Sequence, residues 1–216
     1  MVAALVAFGA ADAPAEAVVE RVEVLERTPF APGASFGAAG AYEKIRAMAY
    51  FALDPAAPAN ARIVDLEYAP RDARGRVTFA SEFLVLRPVN ARRSSLIYDV
   101  NNRGSIAILG QVNGRSPANN DPTTSADAGD GFLMRHGFTL LFSAWTWDVA
   151  PQPPGAKPLI FAPPVAKAPG GAAIEGPMEN EFIVSAPTQL ATYAGMRGLT
   201  YEPATPNDPS AVLTEA

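Results

Sequence analysis

The sequence predicts an α/β fold: antiparallel N-terminal strands lead into a βαβ unit, and a proline-rich excursion with β character follows. Three observations support this. Segments before residue 90 alternate apolar and polar residues at the strand period. Between Ser95 and Trp145 the patterns run strand, loop, helix, strand, which implies parallel strands joined by a crossover. Beyond Asp148 the texture changes, with seven prolines in the 22 residues of "APQPPGAKPLIFAPPVAKAPGG".

In order along the chain, "VVERVEVLE" sets Val22 and Val24 against Arg21 and Glu23 and reads as a strand. In "YEKIRAMAYFALDP" the residues Ile45, Ala47, Ala49, Phe51 and Leu53 alternate with Lys44, Arg46 and Met48, giving a second strand closed at Asp54-Pro55. "RIVDLEYAP" and "RVTFASEFLVLRP" flank "RDARG", with Gly75 in the turn, and read as an antiparallel hairpin. The nearly continuous apolar run of "SLIYDV" suits a central strand buried on both faces. In "TTSADAGDGFLMRHGFTLLFSAW", Thr124 and Asp127 have capping-box spacing and Gly137 sits where a helix C-cap is expected. Gly129 and Gly131 weaken that helix, so it must lean on the sheet. The proline-rich run rules out a helix or central strand there. "NEFIVSAP" reads as one further strand, and a new apolar run opens at Ala211-Val212-Leu213, so the sheet is expected to be incomplete at the C-terminus.

Three regions follow: residues 1–17, 18–149 and 150–216. The first, "MVAALVAFGAADAPAEA", is an apolar run followed by A-x-A spacing, like the later part of a secretory signal peptide. No Lys or Arg precedes Arg21, so a clipped export signal and a disordered Ala-rich tail both fit. The expected localisation is periplasmic or extracellular. The apolar run is too short to span a bilayer.

Composition narrows the chemistry. Seventeen basic against 22 acidic residues, a net charge of −5 and no basic stripe argue against a nucleic-acid partner. With no Cys and one His, neither a disulfide framework nor a zinc site can be assembled, and no cofactor is expected. Asp121, Asp127 and Asp130 cluster without the alternation of a calcium loop, and turn and cap duty is expected of them.

Gly33-Ala34-Ser35-Phe36-Gly37 satisfies G-x-S-x-G, the pattern of a serine nucleophile elbow. That elbow needs a buried strand running in and a helix running out. The two prolines of "RTPFAP" and the uncapped "AAGAYEKI" oppose both, so a glycine-rich surface turn is expected. His136 ends the predicted helix, where a cation suits the carbonyl end of the dipole.

The strand "SLIYDV" stops in Asn101, Asn102, Arg103 and Gly104. Polar groups at the carboxyl end of a buried strand suit a ligand site, and they equally suit a surface turn in which Arg103 pairs with Asp99 or Asp127. Trp145 and Trp147 alternate after the last strand of the βαβ unit and either line a substrate cleft or cover the sheet.

Together "TPFAPGASFGAAGAYEKI", "LIYDVNNRG", "NNDPTTSADAGDGFLMRHGF" and "WTWDV" resemble an α/β-hydrolase-domain family of long, often exported bacterial proteins. The resemblance covers roughly residues 20–216. It implies the N-terminal portion of an enzyme acting on carboxylic esters or related acyl compounds, with the nucleophile, acid and catalytic His farther along than residue 216. It also implies that the loop Asn102-Arg103-Gly104 supplies one backbone N–H of an oxyanion hole. On this reading the partner is a small ester or acyl substrate and the isolated chain is inactive. A rival reading is a non-catalytic, β-rich binding or scaffold module, which needs no open sheet edge.

Overall fold

The computed structural model describes residues 17–90, 94–101, 104–114, 116, 120–147, 149, 156–176 and 209–210. The first 16 residues, "NEFIVSAP" and Ala211-Val212-Leu213 lie outside them, and with them nearly all of the expected export signal and the two late apolar runs. Among the described residues the architecture is mixed α/β, a strand-rich sheet of six strands with few helices.

The strands are β1 (Val18–Phe30), β2 (Tyr42–Leu53), β3 (Val77–Pro88) and β4 (Leu96–Asp99), then β5 (Thr139–Ser143) and β6 (Phe161–Ala162). Two short helices lie between β4 and β5: α1 (Ile108–Val112) and α2 (Phe132–Arg135). The sheet order is β1-β2-β3-β5-β4, with β6 paired to β3. All pairings are antiparallel except β4 with β5, which run parallel as the βαβ pattern predicts.

The segment "RIVDLEYAP" is not a strand. It coils through a 3-10 turn at Leu66–Tyr68, with Asp65 at φ +57°, and Pro58 and Pro70 restrict the chain on either side. Consequently β3 pairs with β2 across the whole excursion. The small cluster of Leu53, Leu66 and Val77 lies there. The expected turn at 72–75 does form, with the Asp72 carboxylate accepting from the backbone N–H groups of Arg74 and Arg76.

The strand "SLIYDV" is an edge strand, not a central one. β5 inserts between it and β3, and Leu96, Tyr98 and Val100 are each half or more exposed. Its apolar character therefore does not report two covered faces. The predicted helix shrinks to the four residues of α2, because Gly129 (φ +58°) and Gly131 (φ +71°) break the helical path ahead of it. Its predicted C-terminal end is present, whereas the Thr124–Asp127 box closes a turn ahead of α2, whose own N-cap is Gly131 with no side-chain cap bond. The Asp127 carboxylate accepts from the N–H groups of Thr123 and Thr124, and Gly137 at φ +73° closes the far end with bonds to Met134 and from Phe138 to Leu133.

The main core lies on one face of the sheet. Leu84, Leu86, Leu140 and Phe142 meet Ile106, Leu109, Leu133 and Met134 from the crossover. Tyr42 is buried beneath it and donates its hydroxyl to the carbonyls of Met134 and Phe138, at 3.1 and 2.9 Å. Burial pushes the Tyr42 hydroxyl pKa up to about 12, so it stays a donor. The proline-rich segment returns over the same face as a strap across residues 156–162 and adds only the two-residue β6 to the sheet. No helix among the described residues is long and apolar enough to cross a membrane.

Candidate functional site

β4 and β5 run in the same direction, so their carboxyl ends bring Asp99, Asn101, Ala144 and Trp145 to one end of the sheet. Open α/β sheets place ligand sites at such ends. Here the Trp145 indole N–H donates to the backbone carbonyl of Asn101 at 2.5 Å, tying the end of β5 to the end of β4. Trp145 is therefore at the site, with half of its surface exposed; Trp147, two residues on, is also half-exposed.

The loop that leaves β4 is packed, not solvated. Gly104 is buried at φ +81°, and a Cβ there would come within 3.1 Å of the Leu159 carbonyl oxygen and 3.2 Å of the Pro158 and Val149 side chains. Only glycine meets both the backbone angle and the space. Its carbonyl accepts from Leu159 N–H at 3.2 Å, and Ile106 N–H is held by the Asn120 side chain at 2.9 Å. Asn102 and Arg103, the other two residues expected in this loop, lie outside the described residues.

Two polar side chains at this end carry buried atoms with no hydrogen-bond partner among the described residues. Asn101 is 1% exposed, and neither its Nδ2 nor its Oδ1 makes a hydrogen bond. Asp99 keeps a buried, unpartnered Oδ2. Burial raises the Asp99 carboxyl pKa, against opposing hydrogen bonds from the Ile108 and Ala107 amides. A buried amide left unpaired costs about 1–3 kcal/mol, so its presence in a packed loop asks for an explanation.

The strap that backs Gly104 is held by charge. Arg46 and Glu82 are buried on the core face and pair at 2.6 Å. Arg46 also donates to the Lys157 and Pro158 carbonyls, and Glu82 accepts from Ile160 N–H. Beside them Lys44, 1% exposed, pairs with Asp121 at 2.6 Å and Glu26 at 3.0 Å, and Asp121 also holds Lys157. The alternation in β2 marks Lys44 and Arg46 as the polar face of a strand. That face is the buried one, and its charges are paired from above, with Arg46 Nη1 left without a hydrogen-bond partner among the described residues.

Ser35 stays apart from this end. It is exposed, with β1 ending at Phe30 before it and only the 3-10 turn Gly37–Ala39 after it, so the strand-to-helix elbow is absent. Among the described residues no hydrogen bond joins it to His136, which is exposed with its ring 4.6 Å from that of Phe132. Asp127 caps the turn before α2, Asp130 accepts from Phe132 N–H, and Asp121 is an ion-pair partner. Among the described residues no group of three His, Cys, Asp or Glu is placed to hold a metal ion.

Sequence reasoning reached the loop and Trp145 but missed Asn101 as a buried side chain, and it missed the Arg46–Glu82 clamp. The signal for the first was an Asn set directly at the end of an apolar strand. For the second it was a lone Glu82 inside "FASEFLVL", opposite a basic strand. Comparison with protein-family models, with curated proteins and with solved structures finds no match.

Proposed function

We propose that this chain forms the N-terminal portion of an α/β hydrolase acting on carboxylic esters or related acyl compounds, and that the loop closing at Gly104 is its oxyanion-side loop. The observation that carries this reading is the end of β4: a tightly braced glycine turn beside a buried amide with neither polar atom paired. A backbone donor needs such rigidity, because a preorganised N–H aimed at developing charge works only if it need not reorganise. The edge of β4, unpaired on its outer side among the described residues and followed by exposed Val100, with Leu96 and Tyr98 exposed, supports the same reading. A further parallel strand carrying a serine elbow would pair there and bring its nucleophile to the same end of the sheet. The serine would attack the acyl carbon while the loop holds the oxyanion. The exported setting belongs to this proposal and rests on residues 1–17.

The test is hydrolysis of p-nitrophenyl acetate together with fluorophosphonate labelling. The 216-residue chain is expected to show no Ser35-dependent turnover. In the polypeptide or complex that carries the nucleophile, Gly104→Ala is expected to lower kcat/KM by about 100- to 1,000-fold, the effect of losing one oxyanion donor. Turnover by the chain itself that Ser35→Ala abolishes overturns the assignment.

A further inference from the structure

The opposite edge of the sheet presents a different problem. β1 runs for 13 residues and, among the described residues, pairs along one side only, with β2. Val19, Val22 and Val24 are 52%, 50% and 58% exposed. A long edge with exposed aliphatic side chains is a template for another strand unless something blocks it. Residues 18–28 contain neither Lys nor Pro, and the edge-blunting features they do carry are charged side chains and two irregularities of register.

We propose that β1 is a homodimer interface, in which two copies of this chain pair antiparallel about a two-fold axis through Val22. Two irregularities, between Val19 and Arg21 and between Val24 and Glu26, bracket a regular stretch from Arg21 to Val24. Registry with β2 gives each residue its face. Arg21 and Glu23 lie opposite Tyr50 and Met48 on one face, whereas Val22 and Val24 lie opposite Ala49 and Ala47 on the other. A two-fold axis perpendicular to the sheet keeps faces unchanged, so directly opposed residues must share a face. Centring on Val22 satisfies this condition. Val22 meets its own copy, Arg21 meets Glu23 of the second copy and Glu23 meets Arg21. Val24 lies against the irregular Val19–Glu20 stretch.

The charges decide between repulsion and attachment. Arg21 and Glu23 already bond within one chain at 2.6 Å, and both touch Tyr50, the cation at 3.6 Å from its ring centre. Doubling that pair across the axis gives four alternating charges with no like charges directly opposed. On the other face the valines of the two copies form one apolar strip. Charges that would blunt a bare edge are thus complementary to a second copy of the same strand.

Light scattering coupled to size exclusion tests this, read across a dilution series. The wild-type chain is expected at twice its 22.6 kDa mass, falling to the monomer on dilution. Val22→Glu sets two carboxylates on the axis and is expected to give monomer, with an unchanged circular dichroism spectrum as the fold control. Arg21→Glu is expected to weaken the dimer by about tenfold or more, and adding Glu23→Arg to it is expected to restore the dimer. A wild-type chain that stays monomeric at every concentration overturns the proposal. So does a dimer that survives Val22→Glu, or a charge swap that fails to rescue.

Discussion

Two segments return to the same face of the sheet and are held there by different means. The crossover from Gly104 to Phe138 docks through side chains that are almost all apolar, with Leu109, Leu133 and Met134 at 3% exposure or less. Its two buried polar side chains are employed within it: Asn113 donates to the Ala128 carbonyl at 3.0 Å and accepts from Leu133 N–H at 2.9 Å, and Asp127 accepts from the N–H groups of Thr123 and Thr124. The strap from 156 to 162 buries one large aliphatic side chain completely, Leu159, and otherwise holds on through Arg46 and Glu82, with Lys157 reaching across to Asp121 of the crossover. The first docking draws on transfer from water, worth about 1.5–3 kcal/mol for each large side chain buried. The second is a set of buried charges whose mutual attraction roughly offsets their desolvation. Near-equal geometry therefore hides unequal vulnerability: shape governs the crossover, whereas pairing and pH govern the strap.

The largest expected effect strikes the crossover. Gly129 sits at φ +58°, and a Cβ there would collide with the Asn113 carbonyl oxygen and stand 2.6 Å from that of Gly114. Both obstacles are backbone and cannot swing aside. Gly129→Ala is expected to cost about 4 kcal/mol or more in urea unfolding, combining overpacking with a left-handed backbone angle. A loss below about 1 kcal/mol would show that the crossover adapts its shape, and the contrast with the strap would fail.

The strap should respond to broken pairing. Glu82→Leu strands the buried Arg46 and is expected to destabilise by about 3–5 kcal/mol. Adding Arg46→Met should return most of that loss, since a buried pair is replaceable by apolar groups of similar volume. A double variant as unstable as the single one would mean that charge pairing is not what holds the strap.

Acid gives the smallest effect and the sharpest separation. The hydrogen bond from Lys44 holds the Glu26 carboxyl pKa below its ordinary value. For Asp121 burial pushes upward, but the hydrogen bonds from Lys157 and Lys44 outweigh it, and the net shift is downward. Folded values below unfolded ones mean that this stability is present above the ordinary carboxyl range, near pH 4, and is lost as pH falls through the depressed values. Asp99 has the opposite sign. Its raised pKa contributes stability below the ordinary range and loses it as pH rises. Asp121→Asn should flatten the acid limb of a plot of unfolding free energy against pH. An unaltered limb would remove Asp121 from the strap's pH response.

Much of the fold was legible locally. Val22 and Val24 against Arg21 and Glu23 were enough for β1, Gly137 marked the end of α2 and the Thr124–Asp127 spacing marked the turn ahead of it, because caps and alternation act within a few residues. The excursion at 63–69 was misread, since its apolar residues belong to a small satellite core and not to a strand face. At the candidate site, composition pointed to the loop after β4. It was silent on the burial of Asn101, because burial is set by chain distant in sequence, as with Trp145, which bonds the Asn101 carbonyl from the end of another strand.

By itself, then, the sequence determined which stretches extend, where they turn and that β4 and β5 run parallel, all consequences of side-chain period and backbone preference over short distances. Only the tertiary structure decided that β5 takes the central place and leaves β4 at the edge, and that Lys44 and Arg46 face inward. Those outcomes depend on which strand pairs with which and what lies above them. Pairing partners are set by the summed burial of the whole sheet, a quantity that no single stretch of chain contains.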